Sequence, residues 1–230
     1  MPPHPLPGDE PDAFCRALVQ VLSHDAQGPL TSVIGFAHTL QRADVEPAAR
    51  DAALRAVVRN ARRLSLLLRN LVDAARLEAG EVELYQERVD VGELLEHALA
   101  RFDDLALDRP VVRDAWEPGV TRADPDRLLT VVLNVLHNAA LHPPPGGTVH
   151  LAVLDRVVEV ADEGPGFSAP ALAHATDPFW RGPEATGAGA GVGLFVARRL
   201  LEAMGGALEL GTAPTGGARV RLVLPAAAGA

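Results

Sequence analysis

Apolar residues near the start of the chain recur in alternating steps of four and three: Cys15, Val19, Leu22, Ala26, Pro29, Val33, Phe36 and Leu40. Such a repeat is the heptad seam of an amphipathic helix. Pro29 lies inside it and has no N–H to give, so a kink is expected there. The pattern stops over residues 42–47 and resumes with Leu54, Val57, Ala61, Leu64, Leu68, Leu71 and Ala75, with Gly80 placed as a C-cap. Two amphipathic helices joined by a short break make a helical hairpin. Leu18, Val21, Val58 and Leu67 widen its apolar face. A hairpin has too little core to stand alone. Pairing two copies into a four-helix bundle, a homodimer, is therefore expected. The alternative is packing against the chain's own C-terminal half.

From about Tyr85 the texture changes. Residues 148–154, 156–160 and 218–224 alternate or run apolar over short stretches and read as strands. Residues 91–102, 125–141 and 193–204 read as helices, and Gly and Pro concentrate over residues 162–193. This half is expected to be an α/β sandwich with one long Gly-rich loop, and loops of that length are usually functional. The expected division is a flexible Pro-rich tail at 1–12, a helical hairpin at 13–80 and an α/β domain at 85–226.

Composition narrows the chemistry. The chain has 230 residues, and its 21 basic residues are all Arg, so any phosphate-binding cation must be Arg or His. The formal net charge of −9 argues against nucleic-acid binding, which needs a basic footprint. Cys15 is the single cysteine, which excludes a disulfide framework and fits a reducing compartment. No apolar run approaches the roughly 20 residues of a membrane span, and residues 1–11 lack a signal-peptide pattern. A soluble, cytoplasmic chain is expected.

On the first seam, with Leu22 at d and Ala26 at a, His24 falls at f and points to solvent. Asp25 follows it, and Pro29 comes five residues after it. A carboxylate beside an exposed imidazole can hold one tautomer and make it a better nucleophile. His38 also falls at f but lacks an acidic neighbour and a nearby proline, and reads as an ordinary surface histidine. In the second half, Asn134 and Asn138 place two amides on one helical face, and amide oxygens suit Mg²⁺. Asp162-Glu163-Gly164-Pro165-Gly166 follows a strand; there an aspartate can accept a hydrogen bond from an exocyclic amine while glycine admits close approach. Pro178-Phe179-Trp180-Arg181 reads as an aromatic loop anchor. Gly187-Ala188-Gly189-Ala190-Gly191-Val192-Gly193-Leu194 opens a helix, where backbone amides bind phosphate. A dinucleotide fold does not fit, because no strand directly precedes the Gly run.

Taken in order, these segments resemble the sensor histidine kinases. Ser23-His24-Asp25-Ala26-Gln27-Gly28-Pro29-Leu30-Thr31 is similar to the phosphoacceptor motif, and the residues from Leu71 to Gly80 are similar to the end of that family's second helix. The resemblance runs from about Phe14 to Pro225. It implies an ATPase fold shared with gyrase, mismatch-repair ATPases and a heat-shock chaperone. It also implies ATP-dependent phosphorylation of His24, followed by transfer to an aspartate on a response regulator receiver domain. In this reading Asn134 and Asn138 hold Mg²⁺, and Asp162 selects adenine. Gly164 and Gly166 line the base pocket, with Phe179 and Arg181 in the mobile ATP lid. Gly189, Gly191 and Gly193, with Leu194, form the phosphate cradle. Asp25 orients His24 and accepts its proton.

Two positions depart from the family. Leu141 stands where a Lys or Arg is usual, so Arg181 or protonated His142 is expected to supply that charge. Gly28 stands where Thr or Asn is usual, so weak phosphatase activity toward the regulator is expected. The alternative is a degenerate kinase, a dimeric scaffold that binds nucleotide or a regulator without turnover. A serine kinase of the anti-sigma type is disfavoured by the His-Asp helix. No sensor domain is visible, so input is expected from a separate sensor protein or from the rest of a longer chain.

Overall fold

A computed structural model describes residues 9–42, 44–105, 109–141, 147–182 and 190–227. They divide into two compact units, helical up to Glu81 and α/β from Val82 onward.

The helical unit has three helices: α1 (Asp9–Asp25), α2 (Gln27–Leu40) and α3 (Pro47–Glu78). Helix α1 begins before the seam does. Pro11 falls in its first turn, where a missing N–H breaks no helical bond. The single kinked helix expected over the first seam is divided at Ala26, not at Pro29. Proline acts one turn back: it cannot bond the carbonyl four residues earlier, which belongs to Asp25. Ala26 keeps α-helical angles, and the N–H of Leu30 still reaches the Ala26 carbonyl at 3.1 Å, so the break is a local bend. Pro47 opens α3. Gly80 closes it at φ 69°, with the Glu81 N–H on the Arg76 carbonyl at 2.9 Å, the bonding of a Schellman cap.

Helix α3 packs along α1 and α2. Ala53, Ala56, Leu66, Leu71, Ala74 and Leu77 are buried, as are two polar residues of α3, Asn70 and Asp73. The seam positions are only partly used within one chain. Cys15 is exposed, as are Val19, Leu54 and Leu68, and so are Leu30, Ile34, Val58 and Val72 beside them. The inward stripe of α1 instead carries Phe14, Ala17, Leu18 and Val21.

The α/β unit is built on a five-stranded sheet in the order β2-β4-β5-β7-β6, with β2 (Val111–Pro118), β4 (Val149–Asp155), β5 (Val157–Asp162), β6 (Ala207–Thr212) and β7 (Ala218–Val223). Only the β2–β4 pair is parallel; the others are antiparallel. A small second sheet pairs β1 (Glu87–Asp90) with β3 (Val120–Ala123). Helices α4 (Val91–Leu105), α5 (Pro125–Leu141) and α7 (Gly193–Ala203) form the second layer, α5 lying between α4 and α7. Val149, Leu151, Val153, Val158, Val160, Val220 and Leu222 are buried. Alternation along each strand sends them to one face.

Strands β1, β2, β3 and β6 carry weak apolar alternation and go beyond the sequence expectation. The Gly-rich segment after β5 is not structureless. It contains α6 (Ala169–His174), capped by the Ser168 hydroxyl, which accepts from the Ala171 N–H at 3.4 Å. Among the described residues no helix is long and apolar enough to cross a membrane.

Leu151→Ala is expected to cost about 3 kcal/mol, the range for emptying a leucine site in a packed core. Leu154→Ala, three positions on and 60% exposed, should cost under about 0.5 kcal/mol. Urea denaturation of the full chain checks both.

Candidate functional site

His24 lies in the last turn of α1 with its side chain 79% exposed, while that of Asp25 is only 8% exposed. His24 Nδ1 lies 2.7 Å from Asp25 Oδ1. A carboxylate accepts only, so Nδ1 carries the proton of that bond, and in the neutral imidazole the lone pair is then on Nε2. Asp25 also feels a cation from α3. Burial pulls the Arg63 guanidinium below its usual range, and the charge of Asp25 opposes that pull. Arginine stays protonated in either case, so a fixed positive charge stands near the carboxylate that orients the imidazole. Heptad reasoning gives the exposure of His24 but not Arg63, since it does not say which α3 residue meets α1.

In the α/β unit, Asn134 is buried on α5 and Asn138 is half-buried one turn on. Gly193 opens α7 so close to Asn134 that an added Cβ would lie 3.4 Å from the amide Oδ1. The buried amide and the helix N-terminus therefore share one small space. Leu194 is buried behind them. Gly191, two residues before α7, has φ 62°, and a side chain there would run into the Trp180 carbonyl and the Phe179 backbone. Phe179 itself holds a left-handed φ of 64°, a conformation that a non-glycine residue keeps only when its surroundings impose it. Phe179 and Trp180 are half-buried and Arg181 is exposed.

Asp162 ends β5 and is 2% exposed. Its Oδ1 accepts from the Gly164 N–H at 2.8 Å and from the Ala218 N–H at 3.1 Å. The second bond comes from the start of β7, and it requires close approach: a Cβ on Gly217 would collide with the Asp162 carbonyl. Gly166 turns at φ 74° against the Gly216 carbonyl. The Gly216-Gly217 pair is thus part of this site, and sequence reading passes over it. The signal was a Gly-Gly turn between two strands; what hid it was the separation of more than 50 residues from Asp162.

The structure therefore gathers Asn134, Gly193, Gly191 and the Phe179–Trp180 backbone into one group, and Asp162, Gly164 and Gly166 into a second at the end of β5. Leu141 ends α5. His142 and Gly189 lie outside the described residues, so neither charge replacement by His142 nor the first cradle glycine is placed.

The residue beside Asp162 has its own partners. Glu163 Oε2 accepts from the Thr148 N–H at 3.0 Å, and its Oε1 lies 3.5 Å from His150 Nε2. His150 Nδ1 lies 3.2 Å from Asp114 Oδ2 on β2. The Thr148 hydrogen bond, and then His150, hold the Glu163 carboxyl below its usual value.

Residues 16–80 match the His Kinase A (phospho-acceptor) domain. Residues 123–228 match the histidine kinase-, DNA gyrase B- and HSP90-like ATPase domain. The chain belongs to the sensor histidine kinases and carries their catalytic core. It is 32% identical over 228 residues to the sensor protein SphS of Synechococcus elongatus, covering 90% of this chain and 54% of that protein. To the signal transduction histidine-protein kinase AfsQ2 of Streptomyces coelicolor it is 31% identical over 226 residues, covering 91% and 42%. The chain thus spans about half the length of these relatives. Among solved structures, full-length ShkA in complex with AMPPNP superposes with a TM-score of 0.60 at 29% identity, covering 96% of this chain and 47% of that one. The mycobacterial sensor histidine kinase MprB superposes at 0.53 with 28% identity, covering 61% and 97%.

The lowered pKa of Glu163 has a definite pH consequence. A carboxylate depressed by folding stabilises above its unfolded value, here the ordinary 4.5, and that contribution fades as pH falls through the lowered folded value. Glu163→Gln should therefore lose stability relative to the parent at pH 7, and the gap should shrink as pH drops below 4.5. Denaturant midpoints from pH 7 to pH 3 check this.

Proposed function

We propose that this chain phosphorylates itself on His24 at the expense of ATP and passes the phosphoryl group to an aspartate of a response regulator receiver domain. The observation that carries the reading is the His24–Asp25 pair, an exposed imidazole whose Nδ1 is held by a shielded carboxylate. Nε2 would attack the γ-phosphorus. The new N–P bond forms as the bond to the bridging oxygen breaks, and the electron pair leaves with ADP. The imidazole then sheds its Nδ1 proton to Asp25, giving neutral phosphohistidine and a carboxylic acid that returns the proton to solvent. The positive charge of Arg63 on α3 stands near Asp25 through that transfer.

The phosphotransfer hairpin spans 13–80 and the nucleotide domain 85–226. In the latter Asp162, its Oδ1 fixed by two backbone N–H groups, reads the adenine amine, with Gly164 and Gly166 beside the base. Gly191, Gly193 and Leu194 bring the start of α7 to the phosphates, and Phe179 and Arg181 cover them. The pairing of the buried Asn134 amide with the α7 N-terminus fits a magnesium–phosphate site. Asn134 and Asn138 would hold Mg²⁺, which when bound neutralises phosphate charge. The exposed apolar residues Val19, Leu30, Ile34, Leu54, Val58, Leu68 and Val72 support a homodimer through the hairpin. Gly28 supports a kinase with little phosphatase activity, having no side chain to orient a water.

Incubation with γ-labelled ATP is expected to give an acid-labile phosphoryl group that His24→Ala abolishes. Label retained in His24→Ala, or none in the parent, defeats the reading; absence from the parent with nucleotide still bound favours the scaffold alternative. Asp25→Asn should slow labelling by about 100-fold, the lower range for a lost general base.

A further inference from the structure

We propose that Arg198 is a positioning residue of the nucleotide site, its hydrogen bond to Thr176 fixing the Phe179–Trp180 segment against helix α7.

Thr176 stands three residues before Phe179 and is one of the few buried polar residues of the α/β unit, at 9% exposed. Its Oγ1 accepts from Arg198 Nη1 at 2.9 Å. Arg198 lies in the second turn of α7, and its Nε donates to Glu202 Oε1 at 2.7 Å, one turn on. The i, i+4 partner holds the guanidinium in one orientation, and the planar fork then serves both acceptors at once.

The segment between Thr176 and Trp180 is itself stiff. The Asp177 N–H bonds the His174 carbonyl at 2.8 Å, and His174 Nδ1 meets Asp177 Oδ2 at 2.8 Å. The Trp180 N–H reaches the Asp177 carbonyl at 3.3 Å. At its far end the segment touches Gly191. It is therefore fastened to α7 at two places: by backbone contact just ahead of the helix, and by a side-chain bond in the second turn. Two fastenings fix an orientation where one would leave a pivot. The left-handed Phe179 lies between them, and such a residue relaxes when its surroundings loosen. Without the Thr176–Arg198 bond, Phe179 and Trp180 would swing about the Gly191 contact and leave the face of α7 that opens at Gly193. Arg198 acts through Thr176 and needs no contact with nucleotide.

The inference rests on the reading of this domain as an ATP site, and the test separates the two. In the full chain, Thr176→Val removes the hydroxyl at nearly constant volume, Thr176→Ser keeps it, and Arg198→Ala removes the donor from a half-exposed position without emptying the core. Thr176→Val and Arg198→Ala should each raise the KM for ATP by about five- to tenfold, the worth of one such hydrogen bond. kcat and the thermal midpoint should stay near the parent values. Thr176→Ser should behave as the parent, and the Thr176→Val/Arg198→Ala double variant should be no worse than either single one. An unchanged KM in both single variants overturns the inference, as do additive losses or a Thr176→Ser variant as impaired as Thr176→Val. A parent that binds no ATP defeats the functional reading, and the inference with it.

Discussion

A carboxylate shut away from water must be met by hydrogen-bond donors, and at Asp162 two backbone N–H groups meet that demand on Oδ1. One N–H comes from Gly164 in the turn after β5 and the other from Ala218 at the start of β7. Each bond to an ionised oxygen is worth more than a neutral one, and losing either would leave charge buried and undercompensated. The turn, the β6–β7 connection and the strand end are therefore held to a common position. Gly217 is fixed by the same demand, since only a residue without Cβ lets β7 start so near. The base-reading role proposed for Asp162 depends on this arrangement. A carboxylate already oriented loses little freedom when a ligand arrives.

The helical unit solves a different problem. A nucleophile must be exposed, yet the group that tunes it works best where water is scarce. Successive helix residues point about 100° apart, so neighbours can have opposite surroundings. His24 faces solvent while Asp25 turns toward α3, where Arg63 supplies a positive charge. Pro29 bends the helix one turn back, at Asp25 and Ala26, because its missing N–H is missed by the carbonyl four residues earlier. The bend thus falls beside the reactive pair, although the proline that causes it lies a turn away.

Much of this was legible in the sequence. Heptad spacing marks both long helices and the exposure of His24. Helix α5 matches its expected limits of 125 and 141, because its apolar positions are frequent and strictly helical. The strands with dense apolar runs, β4, β5 and β7, could also be read. Strands β1, β2, β3 and β6 could not. Glu87, Arg88 and Asp90 make up most of β1, and β2 is largely exposed, so neither displays the alternation that half-burial imposes. Helix α6 was hidden by the prolines and glycines around it, which mark loops by default. The seam was legible as a pattern, but its division between packing inside the chain and an exposed apolar stripe was not. On these helices the inward stripe and the exposed stripe beside it are both apolar, and only the partner helix selects one.

The sequence by itself determined which residues have the right chemistry: an imidazole beside a carboxylate, two amides one helical turn apart, an aspartate followed by glycines, and a glycine run opening a helix. Those are local facts, set by spacing of a few residues. The tertiary structure decided which of them meet. Gly193 touches Asn134, Ala218 holds Asp162, Arg198 reaches Thr176 and Arg63 stands near Asp25. Each partner is separated along the chain by twenty residues or more, beyond the reach of any helical or strand period, and becomes a neighbour only when burial of the apolar faces brings the elements together.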